Sequence, residues 1–187
     1  GTTLEHSGEA VLFSPGGCPI IVATRGDSLV VAHAWQKSLF DSSLLAHGTP
    51  TPNRPFASVV DSILAILGAT TEKLAKEVRA WVFYSIDSQK YWHSLDHPVH
   101  GAYNQRLAKQ LTLSPYTVSA CATVVSARVH LDLPQIISRQ FTGRGVPWTQ
   151  VDLGQSVLPT DDFHFPTTRN IYPEDTNRRY LVVIKRH

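Results

Sequence analysis

Methionine is absent from the 187 residues, and cysteine occurs only twice, as Cys18 and Cys121. Two thiols can close one disulfide at most, so the chain is not a stapled secreted scaffold. It opens on Gly1 without a methionine, so residue 1 is expected to be a processed or internal start with further sequence upstream. No apolar run approaches the roughly 20 residues of a bilayer-spanning helix, and no signal-peptide pattern opens the chain. Neither sign of charge dominates: 17 Lys and Arg against 15 Asp and Glu leave a net charge of +2. The one basic cluster is Lys185, Arg186 and His187. A nucleic-acid surface would need a basic stripe with interleaved aromatics, so no nucleic-acid partner is expected. No repeat, low-complexity tract or Pro/Gly/Ser linker divides the chain.

What is there is an ordinary globular composition, 42% apolar and 17% charged over a length that fits a single domain, residues 1–187. Ala10–Phe13 is short and apolar, and Pro15, Gly16 and Gly17 break it. Pro19–Thr24 and Ser28–Ala34 read as strands of a hairpin turning at Arg25-Gly26-Asp27. Val59, Val60, Ile63, Ile66 and Leu67 have helical spacing within 56–67, and Gly68 stands where a C-cap belongs. Ala80–Ile86 is a strand, Tyr103–Leu111 a helix, and 117–131 holds one or two strands. Asp132 can N-cap a helix with Pro134 in its first turn, running to Phe141 and ended by Gly143 and Gly145. Val146–Leu153 and Arg179–Lys185 are strand-like. The mixture predicts an α+β fold.

The chemistry concentrates at Gly16-Gly17-Cys18-Pro19. A cysteine just after two glycines lies at a tight turn, whose outward amides can stabilise a thiolate or an oxyanion. His33 lies near the end of the partner strand. A hairpin centred on Gly26 sets Cys18 opposite His33 in one register and opposite Ala34 in the next. In the first, the two side chains would stand about 5 Å apart on one face. An adjacent imidazole can accept a thiol proton. Cys and His are equally zinc ligands, and each alone is most often a packing residue, so dyad, metal pair and core remain open.

Two resemblances attach to these residues. Gly17-Cys18, Ile21-Val22-Ala23, Gly26 and His33 resemble the active segment of the cytotoxic necrotizing factor glutamine deamidases, where the Cys is nucleophile and the His its base. The rest of the chain is similar to the YfiH family, also called laccase-domain or polyphenol-oxidase-like. Gly17-Cys18-Pro19 matches its Asp-Cys-x-Pro strand, and Ala32-His33-Ala34-Trp35 its Ala-His-Ala-Gly-Trp segment. His130-Leu131-Asp132-Leu133, Gly145-Val146, Phe163–Arg169 and Arg178–Lys185 resemble its later segments. The shared superfamily implies a central mixed β-sandwich flanked by helices. The YfiH likeness implies a His-Cys-His metal site, whose upstream His would precede residue 1. Here Gly17 replaces the Asp before the Cys, Gln36-Lys37 replaces the Gly and Arg after the Trp, and Tyr91–Gly101 replaces a Cys-Tyr-Glu-Val region.

Other candidates are supporting ones. Ser14 lies four residues before Cys18 and can cap the turn or support the site, and Gly17 can lend an oxyanion amide. Trp35 can wall the pocket. His93, His97 and His100 are spaced for one helical face, but Pro98 interrupts them and a loop is expected. His100 and His6 are the remaining third-ligand candidates. Asp27 or Asp41 could orient His33, Cys121 is expected in the core, His130 at a strand end, and Arg169, Arg178 and Arg179 on the surface.

The leading expectation is a Cys–His amidohydrolase acting on a protein glutamine or a small amide. Cys18 would attack, His33 would shuttle the proton, and no cofactor is expected. The alternatives are a YfiH-like zinc- or copper-dependent enzyme of purine nucleosides or phenols, and a non-catalytic binding domain. The expected location is the cytoplasm, or a host cytoplasm for a toxin domain.

Overall fold

A computed structural model describes residues 2–13, 18–49, 56–86, 88–89, 91–111, 121–154 and 182–186. Its strands and helices in order are β1 (Thr2–Leu4), β2 (Ala10–Phe13), β3 (Ile20–Arg25), β4 (Ser28–His33), α1 (Gln36–Leu39), α2 (Ser42–His47), α3 (Val59–Ile66), α4 (Glu72–Ala75), β5 (Arg79–Phe83) and β6 (Trp92–Ser94). There follow α5 (Gly101–Leu111), β7 (Ala122–Val125), β8 (Arg128–Leu131), α6 (Leu133–Gly143), a 3-10 turn (Trp148–Gln150), β9 (Val151–Asp152) and β10 (Val182–Lys185).

The unbroken apolar run of β3 explains the architecture. A strand that is apolar on both faces must be covered on both. β3 is the middle of a five-stranded sheet ordered β1-β4-β3-β5-β9, mixed because β9 alone runs parallel to its neighbour. Ile21, Ala23, Val30, Ala32, Ala80 and Val82 face the helices in the main core. Leu4, Ile20, Val22 and Val31 face the other way and pack against Val11, Phe13 and Ile184 of the β2–β10 ribbon. This is the α+β fold with a mixed sheet that the sequence predicts: sheet against sheet on one side, helices on the other. β6, β8 and β7 form a separate three-stranded sheet.

Local signals explain the helices. Ser58 and Asp61 make a reciprocal capping box on α3, and Gly68 follows its C-cap at φ +62°. On α6 the Asp132 carboxylate accepts from the Gln135 N–H, and Leu133, Ile136, Ile137, Gln140 and Phe141 form its buried stripe. The short helices α1, α2 and α4 and the strands β1 and β6 escape the sequence reading, because three to six residues are too few to show a period. The strand predicted over Val146–Leu153 is instead a 3-10 turn followed by a two-residue strand. Pro147, which has no N–H to give a ladder, stands before the turn. The strand predicted to Ile86 stops at Phe83, because Tyr84 adopts φ +60°. Phe163–Arg169 and Arg178–Arg179 lie outside the described residues. No described helix is long and apolar enough to cross a membrane.

Ile21 is fully buried at the centre of the sheet. Ile21→Ala is expected to lower unfolding stability by about 2–5 kcal/mol in a urea titration, through lost transfer energy and the cavity left behind.

Candidate functional site

The β3–β4 hairpin positions the site, and its turn is tighter than the sequence suggests. Arg25 pairs with Ser28, so only Gly26 and Asp27 form the loop, with Gly26 at φ +55°. A two-residue loop with positive φ at its first position matches the twist of the strands it joins. The register is shifted accordingly. Ile20, not Cys18, stands opposite His33, and the Ala34 N–H donates to the Pro19 carbonyl at 2.9 Å. Cys18 lies two residues beyond Ile20, outside the paired ladder, and neither Cys18 nor His33 is among the influences on the other's pKa. Both registers weighed from the sequence, Cys18 opposite His33 or opposite Ala34, are thus corrected, while the two residues lie toward the same end of the sheet.

The electrostatics are those of neutral groups. Cys18 is partly buried, and burial pushes its thiol up to about 11. His33 keeps an exposed side, and the burial of the rest of its ring lowers its pKa below the usual histidine value. Tyr91 is buried, and burial first, then the charge of Cys18, raises its phenol. Tyr91 meets the ring of His93 edge-on at 5.1 Å. His93 is pushed down to about 4 by burial and then by His100, and its Nε2 is buried without a hydrogen-bond partner. A buried imidazole nitrogen without a partner is costly and points to a water or ligand.

The other candidates fall elsewhere. Gly17 and Ser14 lie outside the described residues. Trp35 precedes α1 and is 51% exposed, with the Lys37 ammonium 5.8 Å from its ring centre. His6 follows β1, whose Leu4 pairs with Leu29 at the turn end of the sheet. Strand rise puts it about 13 Å or more from the level of His33, too far for a shared ion. His6 instead donates its backbone N–H to Glu9. His100 is exposed ahead of α5, stacks on His97 at 4.9 Å and gives its N–H to His97 Nδ1. The three histidines expected on one helical face or in a loop are divided between β6 and that turn. The Asp41 carboxylate caps α2 through Ser43 and Leu44, and Asp27 lies in the hairpin turn, so neither orients His33. His130 sits in β8, with Nδ1 3.2 Å from the Ser88 carbonyl. Cys121 is fully buried, as expected, and both cysteines are free, so the disulfide left open by the sequence is not formed.

Among the described residues no three His, Cys, Asp or Glu side chains gather to hold a metal. Tyr91, whose phenol feels the charge of Cys18, is a neighbour of the candidate thiol that sequence reasoning missed. It opens the segment that the YfiH resemblance marks as divergent, which was its only signal. A cavity of about 560 Å³ lies between α6 and β9, lined by Gln135, Ser138, Arg139, Thr142, Trp148, Val151 and Leu153, and includes none of these residues.

The neutral state of these groups has two measurable consequences. In a Cys121→Ser background, iodoacetamide should label metal-free Cys18 slowly at pH 7, with a rate that climbs toward a midpoint near 11. A midpoint near 7 would show a cation beside the thiol. His93 binds its proton more weakly folded than unfolded, so its contribution to stability is complete above the unfolded value near 6.5 and lost as pH falls toward 4. His93→Leu is expected to flatten the fall in unfolding free energy across that window.

No protein-family model and no curated protein matches the chain. Three solved structures do resemble it. The hypothetical protein YfiH of Bacillus licheniformis superposes with a TM-score of 0.60 at 14% identity, over 99% of this chain and 60% of its own. YlmD of Geobacillus stearothermophilus gives 0.61 at 15%, again over 99% and 60%. A Neisseria meningitidis protein of the DUF152 family gives 0.57 at 14%, over 95% and 61%. The chain thus spans about three fifths of the length of these neighbours. All three fall on the YfiH side of the two resemblances drawn from the sequence. At this identity the likeness is one of fold, and the fold is of the YfiH type.

Proposed function

We propose that the chain carries the Cys–His part of a YfiH-like enzyme that uses zinc or copper on purine nucleosides or phenols. One observation carries this reading: a thiol raised to about 11 shares the end of a sheet with a histidine whose pKa is lowered. Such a pair is poorly suited to a standing thiolate–imidazolium, which needs a low thiol pKa. It is well suited to a metal, which takes a neutral imidazole and itself drives the proton off the thiol. Sulfur and imidazole nitrogen are the donors that zinc and copper favour.

The donor types fit, but their number falls short. Cys18 and His33 would be two ligands where an open catalytic site uses three, and among the described residues no three such side chains gather. The YfiH resemblance would supply the third from a histidine upstream of the cysteine. When bound, zinc would acidify a coordinated water, and copper would serve phenol oxidation. In this reading Cys18 and His33 would hold the ion, Tyr91 would cover the thiol, and His93 Nε2 would remain for a polar group of the substrate.

The second reading is the Cys–His amidohydrolase acting on a glutamine side chain or a small amide. The common location of Cys18 and His33 favours it, with His33 neutral and able to take the thiol proton.

The test uses protein purified without chelator. Zinc or copper near one equivalent is expected by elemental analysis, reduced at least about tenfold in Cys18→Ser and in His33→Ala. Turnover of adenosine or catechol should fall with it. Metal-free protein that releases ammonia from glutamine peptides, dependent on Cys18, would replace this reading with the second.

A further inference from the structure

A guanidinium that loses part of its hydration is normally compensated by hydrogen-bond acceptors. Four of the described arginines are half-buried: Arg25, Arg106, Arg139 and Arg186. Arg25 donates to Glu77 and to the Leu67 carbonyl, Arg106 to the Leu45 and Ala46 carbonyls, and Arg186 to the Leu4 carbonyl. Arg139 is the exception. Among the described residues its guanidinium has no hydrogen bond and no ion pair. The Thr142 hydroxyl donates to its backbone carbonyl and leaves the side chain untouched.

That guanidinium lines the cavity of about 560 Å³ between α6 and β9. Small-molecule sites typically measure about 300–1,000 Å³. The two walls of the cavity differ in character. Gln135, Ser138, Arg139 and Thr142 follow one another at i, i+3, i+4 and i+7, so they form a polar stripe on α6 beside its buried one. The facing wall is apolar and consists of Trp148, Val151 and Leu153. The 3-10 turn after Pro147 presents Trp148, which is 76% exposed, while Val151 and Leu153 pack on the main core. The charged groups nearby bond elsewhere. Asp132 accepts from the Gln135 N–H, Arg144 pairs with Asp61, and Asp152 accepts from the Gly154 N–H. One positive charge therefore faces an apolar wall across a space of ligand size.

We propose that this cavity binds a short organic monocarboxylate, with the carboxylate on the Arg139 fork and the apolar tail against Trp148, Val151 and Leu153. A guanidinium matches a carboxylate with two parallel hydrogen bonds. A single cation suits a single negative charge, whereas a phosphate dianion would leave half of its charge uncompensated. The site shares no residue with the Cys18–His33 end, so the inference stands apart from the proposed function.

The test is a titration of the full chain, labelled with nitrogen-15, with hexanoate, followed by NMR. The indole N–H signal of Trp148 is assigned from the spectrum of Trp148→Phe. Saturable shifts of that signal are expected, with a Kd of about 1 mM or tighter. Arg139→Gln should weaken binding by about tenfold or more, the size of one lost charge-assisted pair. Arg139→Lys keeps the charge without the fork, should fall in between, and serves as the variant if Arg139→Gln does not fold. Acetate lacks four methylenes and 1-hexanol lacks the charge, and each should bind at least about tenfold more weakly than hexanoate. Cys18→Ser should bind hexanoate as the parent does, which separates this cavity from a carboxylate captured by a metal at Cys18. The proposal is overturned by a Trp148 signal that does not move, by parent-like affinity in Arg139→Gln, by equal binding of 1-hexanol, by tighter binding of hexyl phosphate, or by loss of binding in Cys18→Ser. Absence of metal or of turnover in the same preparations removes the proposed function and leaves this site standing.

Discussion

The two-residue turn at Gly26-Asp27 sets everything that follows at the other end of the sheet. It closes on the Arg25–Ser28 pair and so fixes which residue of β3 meets which residue of β4. A shift of one residue in a ladder moves every side chain to the opposite face. Here the register is held from both sides, because Ile21 and Ala23 belong to the helix-covered core and Ile20 and Val22 to the ribbon-covered one. In that register Ile20 meets His33.

Burial then decides the charge state of that end. Cys18, His33, Tyr91 and His93 are all titratable, and for each of them burial is the largest influence and favours the neutral form. A dyad that worked as a preformed ion pair would need a cation or an anion close to one partner. The carboxylates that the sequence offered lie elsewhere: Asp41 caps the start of α2, and Asp27 is in the hairpin turn. Neutral groups of this kind are the physical reason the proposed function takes a metal rather than a standing thiolate.

Much of the fold was legible where a local signal and a tertiary need coincide. The cap Asp132 with its buried stripe, Gly68 after α3, and the apolar run of β3 each state their role within a dozen residues. Elements shorter than two periods were not legible. The candidate site was half legible. Cys18 and His33 were nominated, but their register depended on a turn length that Arg25-Gly26-Asp27 leaves undecided. His6 was a weak ligand candidate, behind His100, and the direction of β1 carries it toward the far end of the sheet.

The sequence by itself determined the α+β character, the central apolar strand, the capped helices and the nomination of Cys18 and His33, because these depend on propensity, periodicity and spacing. Tertiary structure alone decided the β3–β4 register, the place of His6 and His100, the burial that favours the neutral forms of Cys18 and His33, and the approach of Tyr91 to Cys18. Those depend on contacts between residues far apart in the chain, which no local pattern records.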